Sequence, residues 1–141
     1  MNYFSNFIIV DDEKINNQIC RKVIEKAFKD ANIKDFTDPE EGFAYILEQY
    51  ALTDVTGRAI LLLDINMPKM NAWDFLERFE NLDESLKSRI KIYILSSSVD
   101  KNDMQRANAN KNVEYYLIKP LTEESVRLIV HVLNKRLGIK N

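Results

Sequence analysis

The chain contains the stretch AILLLD at residues 59–64, in which five apolar residues lead directly into an aspartate. A similar stretch, FIIVDD, occupies residues 7–12. Neither stretch alternates between apolar and polar residues, so each predicts a strand that is buried on both faces, as in a parallel sheet covered by helices. Further strands are predicted at residues 90–95 and 113–118, and a shorter one, nearer an edge of the sheet, at residues 33–36.

Helical patterns separate these predicted strands. The first helix has an apolar stripe formed by Ile15, Ile19, Cys20, Val23, Ile24, Ala27 and Phe28. Four later helices each start at a residue that can cap a helix, and these residues are Asp38, Asn71, Asp100 and Thr122. The fourth of the five helices, around Met104, has few apolar residues, and we expect it to pack loosely. Strand and helix alternate five times, which predicts an α/β fold with a five-stranded parallel sheet and helices on both faces.

The composition of the chain excludes several classes of protein and of binding site. A chain of 141 residues, 45% hydrophobic and 30% charged, predicts a single globular domain over residues 1–141 with no separate output domain. The net charge of −2 gives no reason to expect nucleic acid or an anionic membrane as a partner. One cysteine and one histidine exclude a disulfide framework and a metal site built from several of either residue. The sequence has neither a signal peptide nor a stretch long enough to span a bilayer, so we expect a cytoplasmic location.

Charged and hydroxyl side chains follow the predicted strands, where ligands bind in open parallel sheets. Asp11 and Asp12 follow the first strand, Asp64 the third, Ser96 the fourth and Lys119 the fifth. Three carboxylates at one edge repel one another unless a cation separates them, and oxygen ligands favour magnesium. A carboxylate can also accept a phosphoryl group, whose oxygens a lysine and a hydroxyl would then hold.

Together these segments resemble the receiver domain of response regulators in two-component signalling. The likeness lies in residues 7–13, 62–68, 94–97 and 116–120, and it covers essentially the whole chain. It implies the flavodoxin-like (βα)5 receiver fold with strand order 2-1-3-4-5.

The resemblance also implies a role for each residue at the sheet edge. Asp64 would accept the phosphoryl group, and Lys119 would pair with it. Asp12, Asp64 and the backbone carbonyl of Asn66 would ligate Mg²⁺ or Mn²⁺ directly, whereas Asp11 would act largely through water.

A second group of residues is implied to sense the modification. Ser96 would turn its hydroxyl to a phosphoryl oxygen, and Tyr116 would then rotate inward behind it. Asn66 and Ser98 would line the path of the hydrolytic water and set the lifetime of the phosphoryl group. One departure is Ala72, because the family usually has glycine there, and this puts the shape of the nearby loop in question.

The resulting hypothesis is a stand-alone response regulator. A sensor histidine kinase or a histidine phosphotransfer protein would phosphorylate it, and we expect kinase recognition on the first helix, around Ile15, Asn16, Gln18, Ile19 and Lys22. The response would pass through the surface of the fourth helix, fifth strand and fifth helix to a downstream protein that the sequence does not identify. Its only catalysis would be its own phosphorylation and slow dephosphorylation.

Two alternatives remain at this point. A pseudo-receiver, which binds a partner but never carries phosphate, would normally have lost one of the key residues, and all are present. A phosphatase of the haloacid dehalogenase type needs a second aspartate two residues after the nucleophile. Asn66 occupies that position and cannot act as an acid or base. Phosphorylation of Asp64 distinguishes the main hypothesis from the pseudo-receiver.

Overall fold

A computed structural model describes residues 4–51 and 57–138. Within them, five strands form one parallel sheet: β1 (Asn6–Val10), β2 (Asn32–Phe36), β3 (Ala59–Leu63), β4 (Ile90–Ser96) and β5 (Val113–Ile118). Their order across the sheet is β2-β1-β3-β4-β5. The predicted fold class and strand order are therefore confirmed, with β2 at one edge and β5 at the other.

The described residues form six helices, one more than predicted. They are α1 (Lys14–Ala27), α2 (Pro39–Tyr50), α3 (Ala72–Glu80), α4 (Glu84–Lys87), α5 (Lys101–Ala109) and α6 (Glu123–Arg136). The extra one, α4, is a single turn before β4, so the predicted fourth and fifth helices are α5 and α6. None of the helices in the described part of the chain is long and apolar enough to cross a membrane.

The core lies in two layers, one on each face of the sheet. Leu61 and Leu63 of β3 pack with α2, α3 and Ala107 of α5, whereas Ile60 and Leu62 pack with α1 and α6 on the opposite face. Every residue of β3 is at most 2% exposed. Burial on both faces explains why this strand is apolar throughout, since each such side chain contributes roughly 1.5–3 kcal/mol when it leaves water.

The first turns of α1 differ from the prediction. Cys20, Ile24 and Ala27 of the apolar stripe are buried, but Ile15 is 71% and Ile19 44% exposed, so the stripe is not covered over its whole length. Asn17 is buried instead, and its side-chain amide donates a 3.0 Å hydrogen bond to the carbonyl of Asp11. The first turn of α1 packs beside the loop that follows β1, where main-chain polar groups need partners and apolar side chains have little to contact.

All four predicted helix caps are confirmed. Each capping side chain accepts a hydrogen bond, between 2.8 and 3.1 Å long, from a backbone N–H two or three residues later. At the start of α3, Ala72 is buried and its N–H donates to the carbonyl of Ile65 over 3.0 Å. Among the described residues, only Gly138 has a positive φ, so the loop before α3 adopts ordinary backbone conformations and does not require glycine.

A buried arginine connects three elements at the end of the sheet where β3 and β4 begin. Arg89, only 8% exposed, donates hydrogen bonds to the carbonyls of Ser85 at 2.9 Å, Gly57 at 3.5 Å and Tyr50. Its own carbonyl accepts from the N–H of Ala59 at 2.9 Å. Arg89 thus links the end of α2, the start of β3 and α4.

Candidate functional site

Three carboxylates meet at the carboxyl edge of β1 and β3. One side-chain oxygen from each of Asp11, Asp12 and Asp64 lies within 4.8 Å of the other two. Because β1 and β3 are neighbours, the strand ends bring these residues together, and the N–H of Asp64 donates to the carbonyl of Val10 over 3.0 Å. Asp11 is 2% and Asp64 7% exposed, while Asp12 is the most exposed of the three. We call this group the acid pocket.

Lys119 lies between two of these carboxylates. Its Nζ is 2.8 Å from Oδ2 of Asp11 and 3.4 Å from Oδ1 of Asp64. Its backbone is fixed at the end of β5, where its N–H donates to the carbonyl of Ser96 over 2.9 Å. A single ammonium is therefore shared by two buried acids.

The charges in the acid pocket do not balance. Burial raises the pKa of Asp64 from its ordinary 3.8 to about 6, and the negative charge of Asp11 adds to this effect, while Lys119 opposes it. Burial alone would lower the pKa of Lys119, but hydrogen bonds and charges from Asp11 and Asp64 raise it overall. With all groups ionised, three carboxylates and one ammonium leave two negative charges.

The donor set fits a hard divalent cation. All three groups of the cluster are carboxylates, and oxygen ligands of this kind suit Mg²⁺ or Mn²⁺ better than a softer metal. A divalent ion would balance the two excess negative charges. The acid pocket is therefore able to hold the metal that the sequence predicts.

A chain of hydrogen bonds connects Ser96, at the end of β4, to the first turn of α5. The hydroxyl of Ser96, which is 1% exposed, accepts a 3.1 Å bond from the N–H of Ser98. The phenol of Tyr116 donates to the carbonyl of Ser98 over 2.8 Å, and the hydroxyl of Ser98 donates to Asp103 over 2.8 Å. Tyr116 is 9% exposed and already faces inward in the unmodified chain, whereas the resemblance implied that it turns inward only after modification.

A model of the response regulator receiver domain family matches residues 7–131. The chain belongs to this family. Membership places it in two-component signalling, where phosphorylation and magnesium binding are typical of receiver domains. Such domains interact with histidine kinases or phosphotransfer proteins and with downstream effectors, and apart from their own phosphorylation they are generally not catalytic.

Individual relatives agree with this assignment. The receiver domain is 28% identical over 123 residues to the cyclic di-GMP phosphodiesterase response regulator RpfG of Xanthomonas campestris, and the match covers 86% of this chain but 30% of RpfG. The chain thus spans less than a third of that relative. A response regulator receiver protein from Dyadobacter fermentans superposes with a TM-score of 0.79 at 28% identity, covering 92% of this chain and 95% of the other. A two-component response regulator from Cytophaga hutchinsonii gives 0.80 at 28% identity, covering 95% and 97%.

The other residues considered differ in exposure and in their distance along the chain from the acid pocket. Asn66 is exposed, two residues beyond Asp64, and Ser98 is half-buried with its hydroxyl directed toward α5. Tyr115 is 63% exposed, whereas its neighbour Tyr116 is 9% exposed. His131 lies exposed on α6 and is not part of the acid pocket.

Sequence reasoning did not foresee the residues that hold Asp11. The side-chain amide of Asn16 donates to Oδ2 of Asp11 over 2.6 Å, and the N–H of Glu13 donates to Oδ1 over 2.9 Å. Asn16 was expected on the kinase-facing surface, but its amide points toward the acid pocket. The available signal was its position, since Asn16 lies one helical turn before Cys20, a residue of the buried face.

Proposed function

We propose that Asp64 of this receiver domain accepts a phosphoryl group from the phosphohistidine of a sensor kinase or a phosphotransfer protein. A carboxylate oxygen of Asp64 would attack phosphorus in line, the phosphorus–nitrogen bond would break, and the histidine ring would regain a neutral nitrogen. The observation that carries this proposal is the position of Asp64, 7% exposed, in a pocket with two further carboxylates and with Lys119 at 3.4 Å.

Asp64 suits the role of nucleophile better than Asp11. Both oxygens of Asp11 already accept hydrogen bonds, from Glu13 on one side and from Asn16 and Lys119 on the other. Burial raises the pKa of Asp64 to about 6, which makes its carboxylate more basic yet leaves it mostly ionised at pH 7. A more basic carboxylate is a better nucleophile toward phosphorus.

A divalent cation belongs to this proposal. Asp12, Asp64 and the backbone carbonyl of Asn66 would hold Mg²⁺ or Mn²⁺ directly, and Asp11 would act largely through water. When bound, the ion would supply positive charge to the oxygens of the transferring phosphoryl group. Lys119 would pair with one phosphoryl oxygen, and the hydroxyl of Ser96 would turn toward another. Asn66 and Ser98 would set the lifetime of the phosphoryl group.

The output would pass through α5, β5 and α6. Only Ala107 of α5 is buried, so this helix is weakly held, and the bond from Ser98 to Asp103 ties its first turn to the loop after β4. When the hydroxyl of Ser96 turns to the phosphoryl group, the N–H of Ser98 loses its hydrogen-bond acceptor. The loop after β4 would then move so that this N–H finds another acceptor. A shift of this kind would change the surface that a downstream protein contacts.

Recognition of the phosphodonor protein would involve α1. This helix begins three residues after Asp11, and Ile15, Gln18, Ile19 and Lys22 are exposed along it. Ile15 and Ile19 lie one helical turn apart on α1 with polar residues around them, and an apolar patch with a polar rim would offer a contact for a partner protein. Both the kinase reaction and the response would take place in the cytoplasm, where the kinase obtains ATP.

We further propose that the receiver domain works as a single-domain regulator that signals by contact. The Dyadobacter and Cytophaga structures support this arrangement, because each matches this chain over at least 95% of its own length. The intact mass of the protein isolated from its native cells tests the proposal. A mass well above 16.5 kDa would contradict it.

The proposed phosphorylation is tested by intact mass after incubation with acetyl phosphate, with and without Mg²⁺. Asp64→Asn is the test variant, and Asp30→Asn, an exposed aspartate after α1, is the matched control. We expect one magnesium-dependent phosphoryl adduct on the wild type and on Asp30→Asn, and none on Asp64→Asn. Absence of an adduct on the wild type, under conditions that label another receiver domain, would instead favour a pseudo-receiver.

A further inference from the structure

We infer that Asn16 is a positioning residue for the metal site, and that it fixes the carboxylate of Asp11 so that the acid pocket binds Mg²⁺. The inference rests on the proposed function, because it concerns the same metal. It assigns to Asn16 a contact inside the domain.

The hydrogen bonds around Asp11 identify the role. Oδ1 accepts from the N–H of Glu13 at 2.9 Å, while Oδ2 accepts from Asn16 Nδ2 at 2.6 Å and from Lys119 Nζ at 2.8 Å. Lys119 is shared with Asp64, so it cannot serve Asp11 alone. If Lys119 turns toward a phosphoryl group on Asp64, Asn16 remains the side-chain donor to Oδ2 of Asp11.

The orientation of the Asn16 amide is itself determined. Nδ2 carries two hydrogens, and it lies 2.6 Å from Oδ2 of Asp11 and 3.7 Å from the sulfur of Cys20. A flipped amide would place its oxygen against a carboxylate, which repels it. Cys20 is fully buried one turn further along α1, so its sulfur is a fixed second acceptor. The contact with Cys20 therefore orients the amide of Asn16, and the amide in turn orients the carboxylate of Asp11.

Hydrogen-bonded partners of this kind affect how well a site binds its metal. They fix the angle of a carboxylate before the ion arrives, and their loss typically lowers metal affinity by about 10–100-fold. Asp11 is expected to reach the ion largely through water, so the lower end of that range applies. Asn16→Leu keeps the size and branching of the side chain but removes both donors.

The test is a titration with Mg²⁺ alone, without phosphodonor. Binding is monitored by NMR through the chemical shifts of the backbone amides in the acid pocket. We expect Asn16→Leu to bind Mg²⁺ about tenfold more weakly than the wild type. The matched control is Gln18→Leu, an exposed position of the same helix that should leave the affinity unchanged. Equal affinity in Asn16→Leu and the wild type would overturn the inference.

A second measurement needs no variant and so does not depend on Asn16→Leu folding. In the wild type, the side-chain amide protons of Asn16 should shift as Mg²⁺ is added, because Asp11 takes part in binding. Those of Asn102, an exposed residue of α5, should stay in place. If Mg²⁺ saturates the pocket without moving the Asn16 amide, the inference is wrong while the proposed function stands. If the wild type shows no saturable binding, the metal part of the proposed function fails and this inference fails with it.

Discussion

The phenol of Tyr116 donates a 2.8 Å hydrogen bond to the backbone carbonyl of Ser98. This bond joins β5 to the loop that leads into α5, and the hydroxyl of Ser98 continues it to Asp103 in the first turn of that helix. Because the N–H of Ser98 also donates to Ser96, one loop residue contacts the buried hydroxyl, the tyrosine and the helix. The loop after β4 thereby connects the buried hydroxyl of Ser96, the phenol of Tyr116 on β5 and the first turn of α5.

Replacing Tyr116 by phenylalanine should loosen this loop. The ring remains but its hydrogen bond is lost, so we expect the free energy of unfolding to fall by about 1 kcal/mol. Hydrogen exchange at residues 98–100 should become faster. Tyr115→Phe is the matched control, since Tyr115 is the next residue and is 63% exposed. Equal effects of the two substitutions, measured by urea unfolding and hydrogen exchange, would argue against a role for the bond.

Removal of the shared ammonium should destabilise the metal-free domain. Lys119→Met leaves Asp11 and Asp64 buried without their counter-ion, and breaking a buried pair in this way costs about 3–5 kcal/mol. Mg²⁺ should restore part of the loss, so it should raise the melting temperature more in Lys119→Met than in the wild type.

The comparison for Lys119→Met is Lys69→Met. Lys69 also pairs with an aspartate, Asp38, at 3.2 Å, but its side chain is 70% exposed. Exposed pairs contribute at most about 1 kcal/mol, so this variant should melt close to the wild type with or without Mg²⁺. A similar loss of stability in both variants would show that burial of the ion pair does not account for the effect of Lys119→Met.

Asp64→Asn should stabilise the metal-free domain in a pH-dependent manner. The pKa of Asp64 rises from 3.8 to about 6 on folding, mainly through burial. Below pH 3.8 the carboxyl is protonated in both the folded and unfolded states and contributes nothing. Above pH 6 the folded state must hold it ionised, at a cost of up to about 3 kcal/mol. The advantage of the variant should therefore appear as pH rises from 4 to 7.

Urea unfolding in the presence of a chelator measures this advantage. Asp30→Asn, the same substitution at an exposed position outside the acid pocket, is again the control. A constant difference between Asp64→Asn and the wild type across this pH range would contradict the assignment to the raised pKa.

Trp73 should report the movement of α5. It is the only tryptophan, and the guanidinium of Arg106 on α5 lies 4.6 Å from the centre of its ring. Displacement of α5 removes this cation from the ring, so phosphorylation of Asp64 should change the emission of Trp73. In Arg106→Gln most of that change should disappear. An unaltered response in this variant would mean that the fluorescence follows another event.

Kinase choice should follow the exposed face of α1. In the test variant, Ile15, Gln18, Ile19 and Lys22 are replaced by the corresponding residues of a receiver domain whose kinase is known. Phosphotransfer from that kinase should become faster than in the wild type. Four exposed positions of α5, exchanged in the same way, provide the control. Unchanged kinase preference after the α1 exchange, in a protein that still reacts with acetyl phosphate, would locate recognition elsewhere.

Most of the sheet and of the acid pocket could be predicted from local patterns. The uninterrupted run of β3 reports burial on two faces, and the carboxyl ends of parallel strands meet at one edge, which is enough to bring Asp11, Asp12 and Asp64 together. The helix caps were equally accessible, because a capping side chain bonds within its own turn. These features depend on interactions that are near in sequence or on a general rule of topology.

Features that depend on particular tertiary neighbours were missed. Helix α4 has four residues, too few to show a periodic pattern. The exposure of Ile15 and Ile19 depends on where α1 lies relative to the end of β1, and periodicity alone does not show which part of an apolar stripe is covered. Asn16 looked like a surface residue because nothing local indicates that its amide reaches back to Asp11.

Arg89 gives the two ends of the sheet different sensitivities. Its guanidinium binds backbone carbonyls of Tyr50, Gly57 and Ser85, which carry no net charge and do not titrate. At the opposite end of the sheet lie carboxylates and an ammonium, whose charges protons, a divalent ion or a phosphoryl group would alter. The hydrogen bonds at the Arg89 end therefore do not depend on the protonation of their acceptors, whereas the groups that can change charge lie at the acid-pocket end.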